Sequence, residues 1–151
     1  MHNFLRNASL GVLLAASVAA CSKDQKAVRQ LDGKWRATAE RTWINDVEQT
    51  GELEGTIYYT FEKCSVKKED FCDGTINANI NGLNFDLTFG FRVEDDGETL
   101  VIDEDKNPST TEDQNRATII SLDKETFVFG YSENIDGDTY RYEYTMTAEE
   151  E

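Results

Sequence analysis

From Leu83 to Glu94 the chain alternates without a break. Leu83, Phe85, Leu87, Phe89, Phe91 and Val93 fall on one parity, and Asn84, Asp86, Thr88, Gly90, Arg92 and Glu94 on the other. Successive side chains of a β-strand point to opposite faces, so a period of two over this length specifies a strand with one apolar and one wet face. Shorter stretches repeat the pattern. Strands are expected over Lys34–Trp43, Gly55–Cys64, Gly74–Asn81, Glu98–Asp103, Arg116–Leu122, Thr126–Tyr131 and Thr139–Thr147. Asn81-Gly82, Asp95-Asp96-Gly97 and Asp136-Gly137-Asp138 supply residues that tolerate the positive φ of tight hairpin turns. Eight strands joined mostly by short turns, with no long crossover, fit an antiparallel up-and-down meander that closes on itself. Closure removes every exposed edge. An open sandwich of the same strands is the alternative.

At 151 residues the chain suits one domain with a real core. Hydrophobic residues make up 38% and aromatic residues 11%, so rings carry much of the apolar payload. The net charge of −15 argues against nucleic acid, because phosphate contacts need Lys and Arg. The one His stands at position 2, and there is no Cys/His cluster, so zinc, haem or another cofactor is not expected.

Residues 1–20 have the parts of a secretory signal: a weakly basic start with Arg6, then an apolar run from Leu10 to Ala20, too short for a permanent span. The run ends in Val18-Ala19-Ala20-Cys21, which resembles the lipobox of bacterial lipoprotein precursors. That resemblance implies cleavage after Ala20 and acylation of Cys21, with several acyl chains giving a stable membrane anchor. Ser22 resembles the signal for transfer to an outer membrane. The expected location is the outer membrane, on its periplasmic face or at the cell surface. Residues 21–30 read as a polar tether, 31–148 as the barrel domain and 149–151 as an acidic tail.

Gly33-Lys34-Trp35 opens the first strand, and Arg141 is available on the last. A Gly-x-Trp at the mouth of eight meander strands resembles the lipocalin family, and specifically the small bacterial lipocalin-like lipoproteins. In that family the Trp closes the barrel base and an Arg from the end of the barrel packs across it as a cation–π contact. The resemblance therefore implies a base plug of Gly33, Trp35 and Arg141, with the opening at the far end among loops such as Asn45–Gly51 and Asn81–Gly82.

Other candidate chemistry is sparse. Cys64 and Cys72 flank a short loop and read as a disulfide in an oxidising compartment. Asp103-Glu104-Asp105-Lys106-Asn107 has part of a calcium-loop spacing. Pro108 replaces the needed Gly and Gln114 the bidentate acid, so no metal site is expected. Paired carboxylates fall in turns, where Asp is chosen for backbone hydrogen bonds, and no catalytic set can be assembled. Trp43, Tyr59, Phe61, Phe85, Phe89, Phe127, Phe129, Tyr140, Tyr142 and Tyr144 are the candidates to line a ligand cavity. The same rings could instead fill a narrow barrel completely. The expected function is a non-enzymatic, lipid-anchored barrel that binds or carries a small hydrophobic ligand. The alternative is an accessory subunit of a larger envelope complex.

Overall fold

Eight strands close into the expected barrel. The computed structural model describes residues 22–49, 51–106 and 114–150. In it β1 (Gly33–Ile44), β3 (Thr56–Phe61), β4 (Cys72–Ile80), β5 (Leu83–Glu94), β6 (Thr99–Asp103), β7 (Gln114–Leu122), β8 (Thr126–Ile135) and β9 (Asp138–Ala148) pair antiparallel in chain order. β9 then returns to β1 and completes the ring. One further strand, β2 (Val47–Gln49), lies within the connection expected at Asn45–Gly51. It folds back only on the far end of β1.

Register follows the pleat. Across β4 and β5 the inward pairs are Gly74 with Phe89, Ile76 with Leu87, Ala78 with Phe85 and Ile80 with Leu83. The outward pairs are polar and bonded: Asn77 Nδ2 donates to Asp86 Oδ1 (2.6 Å) and Asn79 Nδ2 to Asn84 Oδ1 (2.6 Å). Slipping this register by one residue would turn both rows inside out. Gly74 is required by packing, since a Cβ there would lie 2.4 Å from the Phe89 ring.

β1 breaks the simple parity. Ala37 pairs with Met146 and Ala39 with Thr145, so Thr38 is an extra residue, a bulge. Before it Trp35 and Ala37 face inward. After it Glu40, Thr42 and Ile44 take the inward positions, opposite Tyr144, Tyr142 and Tyr140. Trp43 is thereby turned to the outer wall.

The one α-helix among the described residues corrects the expectation of a tether at residues 21–30. From Ser22 to Leu31 the chain forms α1. Ala27, Val28 and Leu31 lie on one side of it and are buried in the main core. Full burial of Val28 and Leu31 contributes roughly 1.5–3 kcal/mol each. Polar groups of α1 tie it to three turns at one end of the barrel. Asp24 Oδ1 accepts from Gly97 N (2.7 Å), Gln30 Nε2 donates to Leu122 O (3.4 Å), and Gln25 bridges Cys64 O and the Val66 amide, both at 3.1 Å. The helix therefore plugs the closed end. Among the described residues no helix is long and apolar enough to cross a membrane. Cys21 and the apolar run before it lie outside the described residues.

Cys64 and Cys72 form the expected disulfide, with Cα atoms 5.5 Å apart. It pins the loop between β3 and β4. From that loop Phe71 lies over the outer wall, where the Arg92 guanidinium stacks on its ring at 4.8 Å.

Candidate ligand-binding cavity

Burial along β5 divides the barrel into two halves. Phe89, Phe91 and Val93 are 2%, 0% and 5% exposed, whereas Leu83, Phe85 and Leu87, on the same face, are 64%, 47% and 58% exposed. The lower half is solid. Trp35, Phe61, Phe91, Phe127, Leu100 and Met146 pack there with α1. Phe61 meets Phe91 edge-on at 4.9 Å between centroids and Phe127 at 6.1 Å. Trp35 meets Phe127 edge-on at 5.8 Å. The Trp35 indole N–H donates to Leu31 O at 2.7 Å, joining the first strand to the end of the plug helix. Gly33 opens that strand at φ +124°, a backbone conformation that favours glycine.

Above this floor the barrel is hollow. A cavity of about 380 Å³ is lined by Tyr59, Ile76, Leu87, Thr88, Phe89, Ile102, Glu104, Asn115, Arg116, Ala117, Phe129, Tyr131, Glu133 and Tyr144. Its size falls within the roughly 300–1,000 Å³ usual for small-molecule sites. Tyr59, Phe89 and Phe129 form the aromatic floor, and Tyr131 and Tyr144 rise from it along β8 and β9. Tyr144 stacks on Phe129 at 5.4 Å, and Tyr131 on Tyr142 at 4.9 Å. A second cleft, of about 480 Å³, opens where β1 parts from β3. Their pairing stops at Arg36, and Glu40, Thr42, Gln49, Gly51, Glu52, Leu53, Glu54, Ile57 and Ile80 line the gap.

The phenols are held neutral. Burial pushes the Tyr144 hydroxyl far above the usual phenol range, and the nearby Tyr131 and the Glu40 charge push it the same way. The Tyr144 hydroxyl faces Glu40 Oε1 at 3.4 Å. Burial likewise raises Tyr59, with Tyr131 and Glu40 adding to the effect. Tyr131 and Tyr142 are also raised, chiefly by desolvation, and the Glu133 carboxylate beside Tyr142 contributes there.

Of the rings expected to line a cavity, Tyr59, Phe89, Phe129 and Tyr144 do so. Phe61 and Phe127 do not, because they lie beneath the floor at 1% and 0% exposure. Phe85 stands on the projecting β4–β5 hairpin beyond the cup. Tyr140 and Tyr142 continue the stacked row toward the rim, Tyr140 at 6.4 Å from Tyr142. Trp43 is outside altogether, turned there by the bulge at Thr38. Arg141 is also misplaced in the sequence expectation. Its guanidinium lies 4.0 Å over the Trp43 ring, near the open end, and not across Trp35 at the base. Arg41 reaches the same ring at 4.8 Å while pairing with Glu48 at 2.8 Å. Tyr131 shares the inward parity of Phe127 and Phe129 on β8, while Ile76, Leu87 and Glu133 line the cavity and Glu40 adjoins it, all outside the expected set. Leu87 and Ile76 were legible by parity, and Glu40 was hidden by the bulge. Among the described residues no cluster of three His, Cys, Asp or Glu is placed to hold a metal ion.

The architecture is that of a lipocalin-like barrel: eight antiparallel strands, a plugged base and an open cup. Two solved structures agree on the fold. The siderocalin Ex-FABP, described as functioning through dual ligand specificities, superposes with a TM-score of 0.52 at 15% identity, covering 81% of this chain and 76% of its own. Bovine odorant-binding protein, in complex with a selenium-containing odorant, gives 0.50 at 18% identity, covering 81% and 75%. A lipocalin-like protein from Bacteroides uniformis gives 0.46 at 12% identity, covering 75% of this chain and 96% of its own. Neither a protein-family model nor a curated protein matches the sequence.

Proposed function

We propose that this protein is a lipid-anchored envelope lipoprotein whose barrel binds a small hydrophobic molecule in its open half, without catalysing its conversion. The observation that carries the reading is the roughly 380 Å³ cavity standing on a tightly packed aromatic floor. A filled barrel would have left no room for a ligand. The solved odorant complex on the same fold supports the reading by analogy of architecture alone.

Anchoring at Cys21 fits this arrangement. Because α1 begins at Ser22 and docks on the closed end, an acylated Cys21 would hold the plugged base toward the bilayer and the cup away from it. The outer membrane is the expected site, on its periplasmic face or at the surface. A Cys21→Ala variant is expected to leave the membrane fraction, and one that stayed there would refute the anchor. Leu83 and Phe85, exposed on the β4–β5 hairpin, favour a second reading, in which that hairpin docks to a larger envelope complex.

Native mass spectrometry of the detergent-extracted protein tests the two together. Carriage predicts a bound small molecule that is lost in Ala117→Phe, a substitution that fills the cup from β7. A co-purifying protein and an empty cup would support the accessory-subunit reading and sink carriage.

A further inference from the structure

We infer that the cup selects a cationic amphiphile, an apolar or aromatic body bearing an ammonium group. The inference rests on the ligand-binding reading above and narrows its ligand class.

Rings and carboxylates line the hollow together. Tyr59, Tyr131 and Tyr144 line its inner part, and aromatic rings attract a cation through their quadrupole. Those phenols stay neutral, so their hydroxyls can donate to a carboxylate, as Tyr144 does to Glu40. Carboxylates then set the sign of the field. Glu104 and Glu133 line the cup itself. Glu40 lies at its wall beside the Tyr144 hydroxyl and also lines the neighbouring cleft, which adds Glu52 and Glu54. Five acids thus surround the open half.

Compensating positive charge stands outside, where Arg41 and Arg141 lie over Trp43 on the outer wall. Among the described residues Arg116 is the one base lining either space, and its guanidinium is engaged by Glu94 at 2.6 Å and Asp95 at 3.7 Å. Among the described residues none of the five acids makes an ion pair. A concave site with low-dielectric walls and one sign of charge concentrates the opposite sign. A fatty carboxylate would enter against this field, and a neutral ligand would gain nothing from it. An ammonium would exchange water for ring faces and the Glu40 and Glu133 carboxylates.

The test is a calorimetric titration of the full-length protein in detergent with three probes sharing one body: phenylbutylammonium, phenylbutanol and phenylbutyrate. The ammonium is expected to bind about tenfold more tightly than the alcohol, and the carboxylate more weakly than either. Added salt should weaken the ammonium alone. Glu40→Gln and Glu133→Gln should each weaken the ammonium several-fold more than the alcohol, narrowing the preference between the two. Glu133 is exposed, so its variant keeps the test independent of folding. Equal binding of ammonium and alcohol would overturn the cation preference and leave the hydrophobic-ligand reading standing. Tightest binding of the carboxylate would overturn the preference outright. Binding of none of the three would overturn both.

Discussion

Trp35 and Trp43 stand on the same strand and both are buried, yet they do opposite jobs at opposite ends of the barrel. Trp35 points inward, bonds to the plug helix and helps fill the closed end. Trp43 points outward beneath two guanidinium groups and contributes nothing to the hollow. One extra residue at Thr38 separates the two fates. The contrast extends to the whole molecule. Below, an apolar inward residue means core. Above, the same pattern means cavity wall or exposed hairpin. Alternation thus specifies which way a side chain points, but not whether anything waits there to cover it.

The contrast is broken most forcefully in the lower half. Phe61→Ala should cost about 3–5 kcal/mol in urea unfolding, because four rings pack against it and the closed end cannot collapse around the void. Phe85→Ala, on the projecting hairpin, should stay within about 0.5 kcal/mol of the parent. Similar losses at the two sites would mean that the upper half is packed as tightly as the lower. Next in size is the disulfide, which belongs to the closed end through Gln25. Replacing both Cys64 and Cys72 by Ala should cost about 2–3 kcal/mol, mostly by freeing the unfolded chain. A smaller loss would show that α1 holds the loop by itself.

The upper half should report itself by pH. Burial raises the Tyr59 and Tyr144 phenols above the ordinary value of 10.0, so their neutral forms are favoured in the folded chain. The associated stability is complete below pH 10.0 and is lost as the pH climbs beyond it, where the unfolded chain ionises first. Thermal melts should therefore fall steeply on the alkaline side, and Tyr144→Phe should flatten that fall. An unchanged alkaline limb in the variant would place the sensitive groups elsewhere. The smallest effect is expected outside the barrel. Arg141→Ala should lower stability by less than about 1 kcal/mol and shift Trp43 emission toward longer wavelengths, with ligand affinity unaltered. Altered affinity would mean that the outer wall at Trp43 communicates with the cup.

Much of this fold could be read from residues alone. The span of β5 coincides with its alternation, and the hairpin turns at Asn81-Gly82 and Asp136-Gly137 stand where expected. Three features escaped, each for a physical reason. The bulge at Thr38 carries no sequence signature, since threonine is at home in any strand, so unbroken parity puts Trp43 on the inward face. Arg141 is set against Trp35 by the family resemblance alone, and the β1–β9 register that pairs it with Trp43 is a property of closure. Helix α1 is short and offers only Ala27, Val28 and Leu31 to the core, which a polar segment beside an apolar run conceals. The level of the cavity floor escaped because volume is a property of closure: the rings of Phe61 and Phe127 sit one inward position lower than those of Tyr59 and Phe129, and only the assembled barrel separates floor from wall.

One half of the barrel is packed core, and the hollow half is the proposed ligand site. Methyl-resolved NMR tests it directly, with phenylbutanol titrated into the full-length protein in detergent. Shifts are expected at the methyl groups of Ile76, Leu87 and Ile102, which line the cup, and none at Val28, Val93 and Leu100, which are buried in the closed end. Shifts confined to the closed end, or no shift at any of the six, would contradict it.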